Sequence, residues 1–346
     1  VTDVSHTERE ILSQPEIWER SLARLSTDEA SAYWGRMGPR GVLATGCGST
    51  FYLALTAASL IRDEAGLRSR AMPASEIALS SRAIPEIEGS FLLAISRSGT
   101  TSETLAAVAR FRELGGAGVI VVTNYPDSAL ASMADVVLSA PAGQEESVAQ
   151  TRSFTSMLLT IEALVGQVAG LDRSPMARLP ELGASLLMEA QEPMRSLATD
   201  GGIERFYFLG SDPLYGVAAE GMLKLKEMSL TDSEAFHSLE FRHGPMAMAD
   251  HAAAVIGLIA PDRQQAEFAV VNDAAGLGAR TTTVGSGASL LIDDDIPSWV
   301  RPVLYLLPLQ TLALERARFK GLNPDRPRNL AAVIELDSLG NVPTSE

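Results

Sequence analysis

Twice along the chain a short apolar run ends in a glycine turn and opens into a segment of helical period: VLATGCGSTFYLAL from residue 42 and FYFLGSDPLYGVAA from residue 206. A buried strand that feeds a helix through a tight turn is half of a βαβ unit. Repeated, it dictates a parallel sheet with helices on both faces. Residues 91–95 (FLLAI) run into SRSGTT and a helix at 102–114, and 118–122 and 135–138 supply further strands. After helical stretches at 151–171 and 182–198 the alternation restarts. It places strands at 206–209, 252–259, 281–284 and 290–292, and helices at 214–230 and 299–318. Each half has a Ser in or beside its Gly turn, an aromatic early in the helix and a later Ser-Glu pair, Ser75-Glu76 and Ser233-Glu234. Two copies of one α/β unit are therefore expected. Ahead of them, residues 7–28 read as one amphipathic helix or two short ones, with Pro15 as the interruption.

A length of 346 residues fits two domains, or one large domain with an internal duplication. The formal net charge of -15 argues against nucleic acid or an anionic membrane as the main partner. An anionic ligand would need positive potential made locally, by helix amino termini and a few placed cations. The single cysteine, Cys47, excludes an intramolecular disulfide. With no apolar run of about 18 residues and a polar start, VTDVSHTERE, a cytoplasmic protein is expected.

The turn after residue 95 carries six hydroxyls between Ser96 and Thr104, one glycine, and Arg97. A helix cap needs one hydroxyl. The surplus, at the carboxyl end of a parallel strand and the amino end of a helix, fits a phosphate. GCGSTF has Phe51 where a dinucleotide fingerprint needs glycine, and no GxxxxGK loop occurs. Cys47 reads as a small core residue rather than a nucleophile, because nothing beside it lowers its pKa. The four histidines show no metal-ligand spacing, so no metal is expected. A third loop, EESVAQTRSFT at 145–155, offers Thr151, Arg152 and Ser153 either to an anion or to the following helix as caps.

On the helix at 214–230, Glu220, Lys224 and Glu227 stand at i, i+4 and i+7, one strip beside the apolar stripe. A carboxylate at the edge of such a stripe is partly desolvated, which moves it toward general-base work at neutral pH. The plain alternative is a surface ion pair of a few tenths of a kcal/mol. His243 follows in a tight His-Gly-Pro segment that can deliver its ring to the same region.

Taken together in order, EREILSQP, GCGST, SRSGTTSET, SVAQTRSFT, EGMLKLKE, SEAFHSLEFRHGP and DRPRNLA resemble the sugar isomerase (SIS) domain family. Within it they resemble the isomerase halves of glucosamine-6-phosphate synthases and the stand-alone phosphosugar isomerases and deaminases. The resemblance implies an α/β fold of two similar SIS subdomains, each a flavodoxin-like three-layer sandwich. Their expected limits are 31–175 and 176–324, after a helical segment at 1–30 and before a tail at 325–346. It implies a phosphate site from Ser49, Thr50, Ser96, Arg97, Ser98 and Thr101, with backbone at Val148 and Ala149 lining a sugar. Glu227 would move a proton between C1 and C2, His243 would assist ring opening, and Glu220 and Lys224 would complete the site. A homodimer is implied, in which His243 reaches the partner's site. The resemblance implies no cofactor, and no counterpart of the synthases' glutaminase domain is expected. The synthases follow RNLA with a lysine; here Ala332 stands there, which puts imine chemistry through the tail in doubt. The expected activity is isomerisation with deamination of an amino-sugar 6-phosphate. The alternatives are a fructosamine-phosphate deglycase, a plain ketose/aldose isomerase, and a non-catalytic sugar-phosphate sensor.

Overall fold

The computed structural model describes residues 4–331 apart from 81, 83 and 294. It opens with α1 (His6–Leu12), α2 (Gln14–Leu22) and α3 (Asp28–Met37). The first βα series is β1 (Gly41–Gly46), α4 (Ser49–Ala65), β2 (Arg68–Pro73), α5 (Ala74–Ala78), β3 (Phe91–Ser96) and α6 (Ser102–Glu113). It continues through β4 (Gly118–Thr123), α7 (Ala129–Ser132) and β5 (Val136–Ser139). Then come α8 (Arg152–Val168) and α9 (Leu179–Ala198). The second series is β6 (Arg205–Leu209), α10 (Pro213–Ser229), β7 (Asp232–Phe236), β8 (Ala253–Ile259), α11 (Gln264–Gly276), β9 (Arg280–Gly285), β10 (Leu290–Leu291) and α12 (Pro302–Phe319).

Both sheets are five-stranded and wholly parallel, in the orders β2-β1-β3-β4-β5 and β10-β9-β8-β6-β7. Read from β7, the second repeats the first: both have the flavodoxin-like 2-1-3-4-5 order. The expected duplication and fold class are therefore the observed ones. Strands β1, β3, β4 and β8 are buried at every position, as a strand covered on both faces must be. One detail of the sequence reading is corrected. Ser75 and Glu76 lie in α5, past the end of β2, whereas Ser233 and Glu234 lie inside β7, so the two pairs are not equivalent.

The equivalence that does hold is in the turns. Gly48 before α4 has φ 55° and ψ -124°, and Asp212 before α10 has φ 50° and ψ -122°. Glycine adopts this conformation freely, whereas a side chain there is strained.

The contacts divide the chain into two compact units. One comprises Arg20–Gln144 with Ser153–Ser174 and holds the first sheet. The other comprises the residues up to Glu19, Glu145–Arg152 and Pro175–Leu330, and holds the second sheet. In the latter, α12 packs along α10 so closely that a Cβ on Gly221 would lie 2.5 Å from Leu309 Cδ1. Among the described residues no helix is long and apolar enough to cross a membrane.

Candidate functional site

In a 2-1-3-4-5 sheet the chain reverses direction between the first and third strands, and the crevice outside their carboxyl ends is where ligands bind. In the first sheet the turns 46–50 and 96–101 flank that point. Ser96 Oγ accepts from Gly99 N (3.0 Å), and Ser98 Oγ accepts from Thr100 N (3.2 Å) and Thr100 Oγ1 (3.1 Å). Both serines thus spend oxygen lone pairs on shaping the turn and keep a hydroxyl proton to offer. Thr101 is the N-cap of α6, yet its side chain makes no capping bond. Thr50 differs from the reading of it as an anion donor: its hydroxyl accepts from Cys47 N and donates to Cys47 O, both at 2.9 Å. Ser49 and Arg97 are buried beside these turns. Burial pushes the Cys47 thiol up, away from the thiolate a nucleophile needs.

The matching turn of the second sheet, after β8, carries no such run of hydroxyls. Ala260 and Pro261 follow β8, and Arg263 is ion-paired with Asp212 across the crevice. The Glu267 carboxylate fills in by accepting from Ala260 N (2.8 Å) and Ser238 Oγ (3.3 Å). Among the described residues, the hydroxyl-rich turn with Ser96, Ser98 and Thr101 belongs to the first of the two duplicated crevices.

The unit that holds the second sheet carries α10. Pro213 at its first position starts the helix, and Glu220, Lys224 and Glu227 lie on one strip as their spacing requires. Lys224 Nζ is 3.3 Å from Glu220 Oε1 and 2.5 Å from Glu227 Oε2. The side chains are graded in exposure: Glu220 0%, Lys224 1%, Glu227 19%. This is no surface pair. Burial alone would lower the pKa of Lys224, but the carboxylates of Glu220, Glu227 and Glu145 more than offset it and raise it above its ordinary value. Lys224 is therefore a fixed cation at neutral pH and cannot be the proton acceptor. Glu145 has one oxygen, Oε2, engaged by Thr151 N (3.0 Å) and Thr151 Oγ1 (3.1 Å). Glu220 is sealed in, which leaves Glu227 as the cluster's carboxylate held by a cation and open on one side.

The loop before α8 belongs to this same unit. Val148 N donates to Asp325 O (3.1 Å), and Ala149 is buried. Thr151, left open between anion binding and capping, serves Glu145 instead. His243 follows a 3-10 turn at Leu239–Arg242 and is exposed. Among the described residues it makes no hydrogen bond or ion pair with Glu220, Lys224 or Glu227. Sequence reasoning singled out the segments that hold Glu10, Glu145 and Asp325, namely EREILSQP, EESVAQTRSFT and DRPRNLA, but gave these three side chains no role, since no spacing along the chain shows that the segments meet. Ala332 lies outside the described residues.

Comparison with known proteins follows the same lines. Residues 40–166 match the SIS domain. The glutamine–fructose-6-phosphate aminotransferase (isomerizing) of Pseudomonas putida is 31% identical over 363 residues, covering 95% of this chain and 58% of the relative. That of Pyrococcus horikoshii is 32% identical over 313 residues, covering 86% and 52%. The chain thus spans little more than half the length of these curated relatives. Among solved structures, glucosamine-6-phosphate deaminase of Thermotoga maritima superposes with a TM-score of 0.85 at 27% identity, over 96% of this chain and 100% of its own. The C-terminal domain of glucosamine-fructose-6-phosphate aminotransferase of Francisella tularensis gives 0.80 at 25%, over 94% and 99%. Matched at residues 40–166 and alike in fold over nearly its whole length, the chain is a member of the SIS domain family.

Proposed function

We propose that the protein is a phosphosugar isomerase and deaminase acting on an amino-sugar 6-phosphate, with glucosamine 6-phosphate as the type substrate. The observation that carries this reading is the graded strip on α10, where a buried, permanently charged Lys224 holds Glu227 at the rim. Glu227 takes the C2 proton of the open-chain aldose and returns it to C1 through an enolamine. The resulting C2 imine adds water and releases ammonia, leaving the ketose 6-phosphate. Lys224 steadies the oxyanion that develops at O1. Ser96 and Ser98, with Ser49, Arg97 and Thr101, hold the phosphate and so orient the reacting carbons. Thr50 shapes that turn, and the backbone of Val148 and Ala149 lines the sugar. His243, exposed and free of the α10 cluster, assists ring opening in the site of a second copy, which makes the working form a homodimer. The likeness to the Thermotoga maritima deaminase supports release of ammonia over plain isomerisation.

The test is a panel of hexosamine, fructosamine and ketose 6-phosphates, in which ammonia and C2 proton exchange are followed together. Glucosamine 6-phosphate should give both. Exchange without ammonia would reduce the reaction to isomerisation. Ammonia from fructosamine phosphates alone would make it a deglycase, and silence on both measurements would leave a sensor.

The phosphate end has its own check. Replacing Ser96 and Ser98 together by Ala removes two hydrogen bonds to a charged group, each worth about 1.5–3 kcal/mol. KM should rise by about 10²- to 10⁴-fold with kcat little changed. Undiminished affinity for inorganic phosphate and for sugar phosphate would put the anion site elsewhere.

A further inference from the structure

Helix α1 carries one of the most deeply buried carboxylates in its unit, and the chemistry proposed above does not use it. Glu10 is 3% exposed. Among the described residues, the hydrogen bonds to its side chain all come from one loop, about 136 residues further along: Glu146 N at 2.6 Å, Ser147 N at 3.3 Å, and the Ser147 hydroxyl. Ser147 Oγ also faces Ala149 O at 3.1 Å, which ties the grip to the next two residues.

The loop is held from the other side as well. Asp325 accepts from His6 N (3.0 Å), Thr7 N (2.8 Å) and Thr7 Oγ1 (2.8 Å), and so caps α1, while its own carbonyl accepts from Val148 N (3.1 Å). Gln14 Nε2 donates to Gln310 Oε1 (2.7 Å), and Gln310 Nε2 donates to Thr151 O (3.2 Å). Residues 146–151 are thus clasped by α1, by α12 and by the residue that caps α1. Glu145, bonded to Thr151 of the clasped segment, is one of the carboxylates that act on Lys224. A buried carboxylate is an expensive way to close a loop, and burial pushes the Glu10 carboxyl up against the hydrogen bonds that hold it. What a carboxylate gives that an apolar residue cannot is a fixed register for two consecutive amides and a hydroxyl.

We infer that Glu10 is a positioning residue for the substrate loop: from α1 its carboxylate fixes the backbone of residues 146 and 147, and through them the placement of Val148, Ala149 and Glu145 at the sugar end of the site. The role of the loop rests on the function proposed above, whereas the clasp itself does not. The two are separated by reading amide hydrogen exchange and kinetics on the same variants. In Glu10→Ala, exchange at residues 146–151 should accelerate about tenfold or more, with amides of β6 and α10 unchanged. KM for the sugar phosphate should rise about tenfold, while inhibition by inorganic phosphate stays as in the parent. Glu10→Gln keeps an acceptor oxygen for the two amides and should restore most of both. Unchanged exchange in Glu10→Ala, or acceleration spread over the whole unit, would overturn the inference. Local acceleration in a protein that turns over none of the panel would uphold the clasp and sink only the enzymatic reading.

Discussion

Replacing Glu227 with glutamine should lower kcat by about 10²- to 10⁴-fold, the range that a positioned general base supplies, and leave KM for the sugar phosphate within a few fold. The split follows from where the binding groups lie. The phosphate is assigned to hydroxyls of the first unit, and none of those changes in Glu227→Gln. Glutamine keeps the length of the side chain and an oxygen for Lys224 Nζ, now 2.5 Å away, and Lys224 retains Glu220 at 3.3 Å. The fold should therefore stay intact, which makes the loss chemical rather than structural. C2 proton exchange is the sharper readout, because it sees proton abstraction whether or not ammonia leaves. Exchange at the parental rate would remove Glu227 from the mechanism and shift attention to Glu145, the other carboxylate of the cluster with solvent exposure.

What the sequence disclosed and what it withheld divide along a physical line. Strands buried on both faces announce themselves as unbroken apolar runs, so β1, β3, β4, β6 and β8 are legible to within a residue or two. The edge strands β2 and β7 are RSRAMP and DSEAF, partly exposed and polar, and nothing in their composition separates them from loop. Helix α11 escaped for a related reason, since its inward face includes the carboxylate of Glu267. Near the amino terminus the expected break occurs at Ser13 rather than at Pro15, which sits early in α2 where proline is tolerated. At the site, helical spacing was enough to align Glu220, Lys224 and Glu227. It could not rank them by depth, because depth comes from α12 closing over one side of α10. The clasp by Glu10 and Asp325 joins residues more than 130 positions apart, and one-dimensional periodicity carries no information at that range.

The depth ranking leads to the second large effect, on stability. Lys224→Met should cost about 3–5 kcal/mol, the penalty for leaving a buried carboxylate without its cation. Glu220, fully enclosed and 3.3 Å from Lys224 Nζ, is the group stranded. A surface i, i+4 pair would lose only a few tenths of a kcal/mol, so chemical denaturation of this one variant discriminates between the two descriptions of the strip. The compensating double variant, Glu220→Gln with Lys224→Met, should recover most of the loss, because a buried pair replaced by neutral groups of similar volume is close to neutral in energy. Coupling in that cycle of at least about 1 kcal/mol is expected for groups in direct contact. If the double variant recovers its stability yet turns over no substrate, the pair is kept for chemistry: its cation is what aims Glu227 at the rim. A double variant that is both stable and active would mean that Glu227 needs no such support, and the graded strip would lose its claim to be the centre of the site.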